Sequence, residues 1–355
     1  MTVHASPAEI DTDRLLGMLE RMYLIRRFET EAERQYKQAK IGGYCHLSSG
    51  QEATCVGTMD AMGDDDLLVT GYRCHGFALA RRVPATEVMA ELFGRVDGCA
   101  LGRGGSMHLL DPDVGYYGGW GIVGGQIPVA TGLALALVRQ EKPAAVLCEL
   151  GDGAVNMGAW HESLNLASLW DLPIVYLVVN NIYGMGTSVQ RASAEPELFR
   201  RAHAHRMVGE RIDGDDIEEV HAATSELLQT ARDRHRPAVL EALTYRYRGH
   251  SVADAGLSYR DRDEIKEHQQ RDPIKRVREL LSERGASEED LDAADERAKE
   301  QVAESVEFAN ASAEPPLDGL AYGMYAEGSD EQFARMRPGS PFGERELVFD
   351  AGLGA

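Results

Sequence analysis

The chain has 355 residues, of which 43% are apolar and 27% charged, and a formal net charge of −21. That length supports a sizeable core, and the acidic balance excludes nucleic acid as the main ligand, because phosphate binding needs concentrated Lys and Arg. No run of about 18 apolar residues is present, which excludes a simple membrane-spanning helix. The stretch around Glu9, Asp11 and Asp13 has no apolar signal core, so a cytoplasmic location is expected. Five Cys, at positions 45, 55, 74, 99 and 148, form no C-x-x-C pair, so buried thiols are expected in place of a zinc site or a disulfide framework.

Residues 11–40 predict a helix, because Leu15, Leu19, Met22, Tyr23, Phe28, Ala32 and Tyr36 recur at helical spacing with charges between them. After the glycine-flanked Tyr44-Cys45-His46-Leu47, the run Ser49-Gly50-Gln51-Glu52 has the spacing of a capping box and predicts a helix to about Met62. His46 therefore lies in a loop just before a helix N-terminus, a place where a ligand can sit. Residues 67–70 predict a strand, and Tyr72-Arg73 follows it, a pair able to clamp an anion through the forked guanidinium. A short helix is predicted over 85–94, and two glycine-dense patches follow. In the second, Gly119 to Gly124 fits G-x-G-x-x-G and leads into an apolar helix over 127–139. The turn-like residues 111–115 supply no convincing strand before it, which argues against a dinucleotide site.

The most informative stretch is 144–181. Residues 144–150 and 174–179 are short, apolar and without alternation, as buried parallel strands are. Between them, residues 158–170 carry a helical stripe through Trp160, Leu164, Ala167 and Leu169, and Pro173 stops the helix. The first strand runs directly into Gly151-Asp152-Gly153 and the second into Asn180-Asn181. Ligands of open α/β sheets bind at that edge. Asp152 offers a carboxylate, Asn181 an amide oxygen, and the loop through Gly184 and Gly186 can fold back to present a carbonyl. Such an oxygen set suits Mg²⁺ carrying a diphosphate. Residues 238–243 predict a further strand ending near Tyr245-Arg246-Tyr247-Arg248-Gly249-His250, and 260–310 read as charged helix. The expectation is a parallel sheet flanked by helices, with an N-terminal helical segment (1–40), an α/β domain (41–325) and a C-terminal tail (326–355).

GDG followed, after residues 154–179, by NN is the signature of thiamine-diphosphate enzymes. Together with GYCHLSSGQEA (43–53), TGYRCHG (70–76), GRGGSMH (102–108), GGWGIVGGQIP (118–128), GDGAVNMG (151–158), NNIYGMGTSV (180–189) and YRYRGHSVADAGLSYR (245–260), it resembles one family closely. That family is the alpha subunits of the thiamine-diphosphate-dependent first component of 2-oxo acid dehydrogenase complexes, in particular its pyruvate branch. The acetoin and branched-chain branches, and a non-catalytic assembly paralogue, are the alternatives. The resemblance implies the thiamine-diphosphate-binding fold. It implies Mg²⁺ on Asp152, Asn181 and the Tyr183 carbonyl, with Gly153 and Ala154 along the diphosphate and Tyr72, Arg73 and His250 on its oxygens. Gly121 and Val123 would lie along the cofactor, and His46 and His250 would serve catalysis. The same resemblance implies a beta subunit that supplies the activating carboxylate in an alpha2-beta2 heterotetramer, a lipoyl-bearing acyltransferase partner, and oxidative decarboxylation of a 2-oxo acid. Ser188, Ser251 and Ser258 match positions that are phosphorylated in animal relatives.

Overall fold

The computed structural model describes residues 9–317 and 319. Asp11 caps α1 (Thr12–Lys37) by accepting from the Arg14 N–H, and the helix buries Leu15, Met18, Met22, Ile25 and Phe28 along one stripe. The helix after it, α2 (Glu52–Ala61), starts one residue after Gln51 and not from a Ser49 cap. The capping-box expectation fails because Glu52 is the first helical residue. Its buried carboxylate instead takes the Gly50 N–H and a two-pronged contact from Arg26 of α1. Next come β1 (Leu67–Gly71), α3 (His75–Ala80) and α4 (Ala85–Leu92).

Between α4 and α5 (Gln126–Arg139) lies β2 (Tyr116–Trp120), which the sequence reading does not anticipate. Tyr-Tyr-Gly-Gly-Trp has no apolar run; it pairs in parallel with β1 across a register irregularity, and its other edge carries only an isolated antiparallel bridge from Tyr116 to Asp111. The central unit is as expected: β3 (Val146–Gly151), α6 (Gly158–Leu169) and β4 (Ile174–Asn180), with β3 and β4 parallel. A small hairpin, β5 (Tyr183–Gly184) with β6 (Thr187–Ser188), leads into α7 (Val189–Ala192). The strand β7 (Val208–Asp213) is also unanticipated, since Glu210 and Arg211 make it polar. The rest comprises α8 (Ile217–Arg234), β8 (Ala238–Leu243), α9 (Arg262–Gln269), α10 (Pro273–Glu283) and α11 (Glu288–Ala311).

The six long strands form one parallel sheet in the order β2-β1-β3-β4-β8-β7. The strand's period of two sorts its residues between two cores. Val175, Leu177 and Val179 of β4 join α1, α2, α4, α8, α10 and α11 on one face. Ile174, Tyr176 and Val178 join α5 and α6 on the other. Chain order reverses direction between β1 and β3, so the switch point of the sheet lies at their carboxyl ends.

Two compact units are distinguished, Met1–Ala313 and Glu314–Ala355. The first holds every element above. The boundary expected after residue 325 and the expected tail lie outside the described residues.

One buried carboxylate organises the first glycine-dense patch. Glu91 of α4 is fully buried and accepts the N–H groups of Ala100 and Gly102 on one oxygen and of Gly104 and Gly105 on the other, at 2.7 to 3.0 Å. Glu91→Ala strands these donors away from water. Urea unfolding is expected to show a loss of about 3 kcal/mol. A loss below about 1 kcal/mol would show that other contacts hold the loop.

Candidate active site

A cleft of about 230 Å³ opens at the switch point. Most of its polar wall comes from positions just past a strand end. Tyr72 and Arg73 follow β1, Asp152 and Gly153 follow β3, Asn181 and Tyr183 follow β4, and His250 comes from the loop after β8. Val123 and Ala154 also line it. The parallel register brings these ends together, because β1, β3, β4 and β8 pair in sequence with no reversal. Of the residues expected from the sequence, Gly121 is not on the cleft wall. A Cβ there would lie 3.0 Å from His108 Nε2, so this glycine gives room to that ring. His46 is buried one layer back, its ring centroid 4.5 Å from Tyr72 and 5.0 Å from His250.

Arg73 is the positive end of the cleft. Its guanidinium donates to two backbone carbonyls, Leu47 at 2.6 Å and His250 at 2.9 Å, and to no carboxylate among the described residues. Burial, and then repulsion from Arg246, pulls it down to about 10, still charged at neutral pH. Arg246 is a second guanidinium, fully buried and not among the sequence-based candidates. It donates to Asn181 Oδ1 at 2.8 Å, to the Tyr183 carbonyl, to the Met185 carbonyl at 2.7 Å and to the Tyr259 hydroxyl at 3.1 Å. A cation thus already sits on two of the three oxygens expected to hold metal.

The third, the Asp152 carboxylate, is buried, and no side chain donates to it among the described residues. Burial pushes it up to about 6, against the pull of Arg246. A buried acid with free lone pairs beside two acceptor oxygens already turned toward a cation fits a hard divalent ion. The two histidines are neutral at working pH. Burial first, then Arg73, holds His46 down at about 2 and His250 at about 4. They therefore offer neutral imidazole, and the unpartnered His46 Nδ1 keeps its hydrogen-bonding capacity.

The supporting layer runs through α9. Glu264 accepts from the Tyr183 hydroxyl at 3.2 Å and the Tyr245 hydroxyl at 2.9 Å, tying the loop after β4 to the segment that carries Arg246. Arg260 donates to the Arg246 carbonyl at 2.7 Å. Asp254 fixes the His250 N–H at 2.7 Å. Ser251, one of the three serines noted above, is buried in this layer. Glu149, two residues before Gly151, also lines the cleft and is absent from the sequence-based candidates. Arg246 stands among other Tyr and Arg residues past a strand end, and Glu149 inside an apolar strand, so neither stands out in the sequence.

The G-x-G-x-x-G patch does follow a strand, contrary to the sequence reading, since β2 runs into it. It is nevertheless closed to a pyrophosphate. A Cβ on Gly119 would lie 2.7 Å from Cys74 Sγ and 2.8 Å from the Met107 carbonyl. Its glycines admit neighbouring chain, and Glu141, the acid beyond α5, is exposed.

Fold and cleft define an α/β protein with an arginine-bearing cleft at the switch point of a parallel sheet. Residues 20–318 match the Dehydrogenase E1 component family, and the chain belongs to that family, whose members depend on thiamine diphosphate. It is 44% identical over 315 residues to the pyruvate dehydrogenase E1 component subunit alpha of Rhizobium meliloti (strain 1021), covering 88% of this chain and 90% of that protein. It is 43% identical over 314 residues to the somatic, mitochondrial pyruvate dehydrogenase E1 component subunit alpha of Homo sapiens, covering 88% and 79%. These matches bear out the resemblance read from the motifs. Among the described residues, no helix is long and apolar enough to cross a membrane.

A cleft lined by Arg73, with the Arg246 guanidinium behind Asn181, is expected to be stabilised by an anion. Magnesium pyrophosphate at 100 times its Kd is expected to stabilise the protein by about 2.7 kcal/mol, read as a rise in Tm. Arg73→Gln is expected to lose most of that rise. An equal rise in the variant would place the anion elsewhere.

Proposed function

We propose that the chain is the alpha subunit of a pyruvate dehydrogenase, holding the Mg²⁺-diphosphate end of thiamine diphosphate. With a beta subunit it would oxidatively decarboxylate pyruvate and pass the acetyl group to a lipoyl-bearing acyltransferase. The observation that carries this reading is the convergence of Arg73 and Arg246, neither donating to a carboxylate, on the switch point beside Asp152, Asn181 and the Tyr183 carbonyl. Burying a charge without a partner costs several kcal/mol, and a diphosphate supplies the missing partner.

In this reading Asp152, Asn181 and the Tyr183 carbonyl hold Mg²⁺, and Arg246 turns from those oxygens to the anion. Gly153 and Ala154 let the backbone approach the diphosphate, while Tyr72, Arg73 and His250 pair with its oxygens. Val123 flanks the cofactor. Thiamine diphosphate, when bound, supplies the nucleophilic carbon and the electron sink that the chemistry requires. This chain's residues neutralise the anchor, orient the cofactor and close the polar end from water. His46 and His250 would serve at the substrate end as neutral donors or acceptors, since neither takes up a proton at working pH.

The carboxylates that line the cleft, Glu149 and Asp152, stand at the strand ends among the anion-binding groups. The acid that activates the cofactor's pyrimidine would therefore come from the beta subunit, in an alpha2-beta2 assembly. The pyruvate assignment is supported by the names of the relatives above, and the cytoplasmic location by composition alone. A non-catalytic paralogue would be expected to have lost some of the oxygen or cation set, and every member of it is retained.

The test is decarboxylation by the chain with and without its beta subunit, on pyruvate, branched-chain 2-oxo acids and acetoin. Turnover of pyruvate only with both subunits is expected, and Asp152→Ala is expected to lower it at least about 100-fold. Turnover of acetoin alone would overturn the substrate assignment. Robust turnover by the isolated chain would overturn the subunit division.

A further inference from the structure

A site built for a diphosphate also contains a carboxyl group that its anchoring chemistry does not use. Glu149 lies on β3 on the same side as Leu147. Leu147 packs in the core, whereas Glu149, nearer the strand's carboxyl end, emerges where that core gives way to the cleft. It is 5% exposed. One oxygen accepts the Gly71 N–H at 2.8 Å, which fixes the group at the end of β1 immediately before Tyr72 and Arg73. Its own backbone carbonyl accepts Gln126 Nε2 at 3.0 Å, which holds the strand end to α5.

An ionised carboxylate here would oppose the anion that Arg73 and Arg246 are placed to receive. A neutral carboxylic acid would not, and its O–H is a donor. We propose that Glu149 is a protonation-gated selector of the cleft, which admits the diphosphate as the neutral acid and weakens its binding as the carboxylate. This rests on the reading of the cleft as a diphosphate site and adds a regulation to it.

Its surroundings support the proton being held. Burial pushes the carboxyl up to about 7, against the Gly71 N–H and the Arg73 charge. The groups facing it are Arg73 and Tyr72 past β1, the Cys55 thiol of α2, the Cys74 thiol beside α3, the Cys148 thiol of its own strand and, further along the cleft, Asp152. The thiols and the phenol are all pushed up by burial and stay neutral. Arg73 stays charged, so Glu149 and Asp152 are the members of this set that change charge near neutrality. The sign follows from linkage. Below about pH 7 the acid is neutral and affinity is full; above it, binding must first return a proton to Glu149, so affinity falls.

The test is isothermal titration of thiamine diphosphate with Mg²⁺ into the chain assembled with its beta subunit, from pH 6 to 8.5. Wild type and Glu149→Gln are compared, each in two buffers of different ionisation enthalpy. Glutamine keeps an oxygen for the Gly71 N–H and cannot ionise. The ionisation of the phosphate itself and of Asp152 is common to both proteins, so the difference between the profiles isolates Glu149. Relative to the variant, wild-type affinity is expected to fall by up to about tenfold per pH unit above pH 7, with uptake of about half a proton or more at pH 8. Parallel profiles, or equal proton uptake, would overturn the proposal while leaving the diphosphate reading intact. Should the variant fail to assemble, wild-type proton uptake decides: uptake rising between pH 7 and 8 supports the proposal, and its absence overturns it. No binding by wild type at any pH would overturn the diphosphate reading itself.

Discussion

Two guanidiniums, Arg73 on the cleft wall and Arg246 buried behind it, that donate to no carboxylate among the described residues are the constraint around which the rest of this molecule is arranged. Arg73 and Arg246 spend their hydrogen bonds on carbonyls, an amide oxygen and a phenol. Those contacts leave the charge uncancelled, and the buried Arg246 Nε has no acceptor among the described residues. Holding two like charges in a buried cleft needs a scaffold whose stability comes from elsewhere. Here it comes from a six-stranded parallel sheet with a core on each face, and from the α1 and α11 layer packed outside it.

The scaffold also explains why the charges lie where they do. Parallel strands place all their carboxyl ends on one edge, and the reversal of chain order between β1 and β3 leaves a crevice there. Each loop past a strand end brings one kind of group: cation after β1, carboxylate after β3, amide and carbonyl after β4, imidazole and a second cation after β8. Behind them, Glu264, Asp254 and Arg260 hold the loops through hydrogen bonds of 2.7 to 3.2 Å. Arg246 resting on Asn181 and the Tyr183 carbonyl leaves those oxygens already turned toward a positive charge.

Much of this was legible before any coordinates. The β3–α6–β4 unit reads directly because both of its strands are central, buried on two faces and continuously apolar. The outermost strands β2 and β7 do not read, because a strand at the end of the sheet needs no apolar run; Tyr116–Trp120 is entirely glycine and aromatic, and Val208–Asp213 carries Glu210 and Arg211. The capping-box reading of Ser49 to Glu52 fails because Glu52 is claimed by Arg26, a partner from another helix. Asp152, Asn181, Tyr72, Arg73 and His250 are visible as polar clusters after strand-like runs. Arg246 and Glu149 are not, since their importance lies in what the fold brings beside them. Each is unremarkable among its chain neighbours.

The central claim is that Asp152, Asn181 and the Tyr183 carbonyl form a metal site serving a diphosphate. Crystals of the assembled subunits grown with thiamine diphosphate and Mn²⁺ in place of magnesium test it most directly, through the anomalous signal of the metal. The account predicts one strong peak bounded by those three oxygens, with the diphosphate between it and Arg73. A peak elsewhere, or a bound cofactor with no metal among those oxygens, would contradict it.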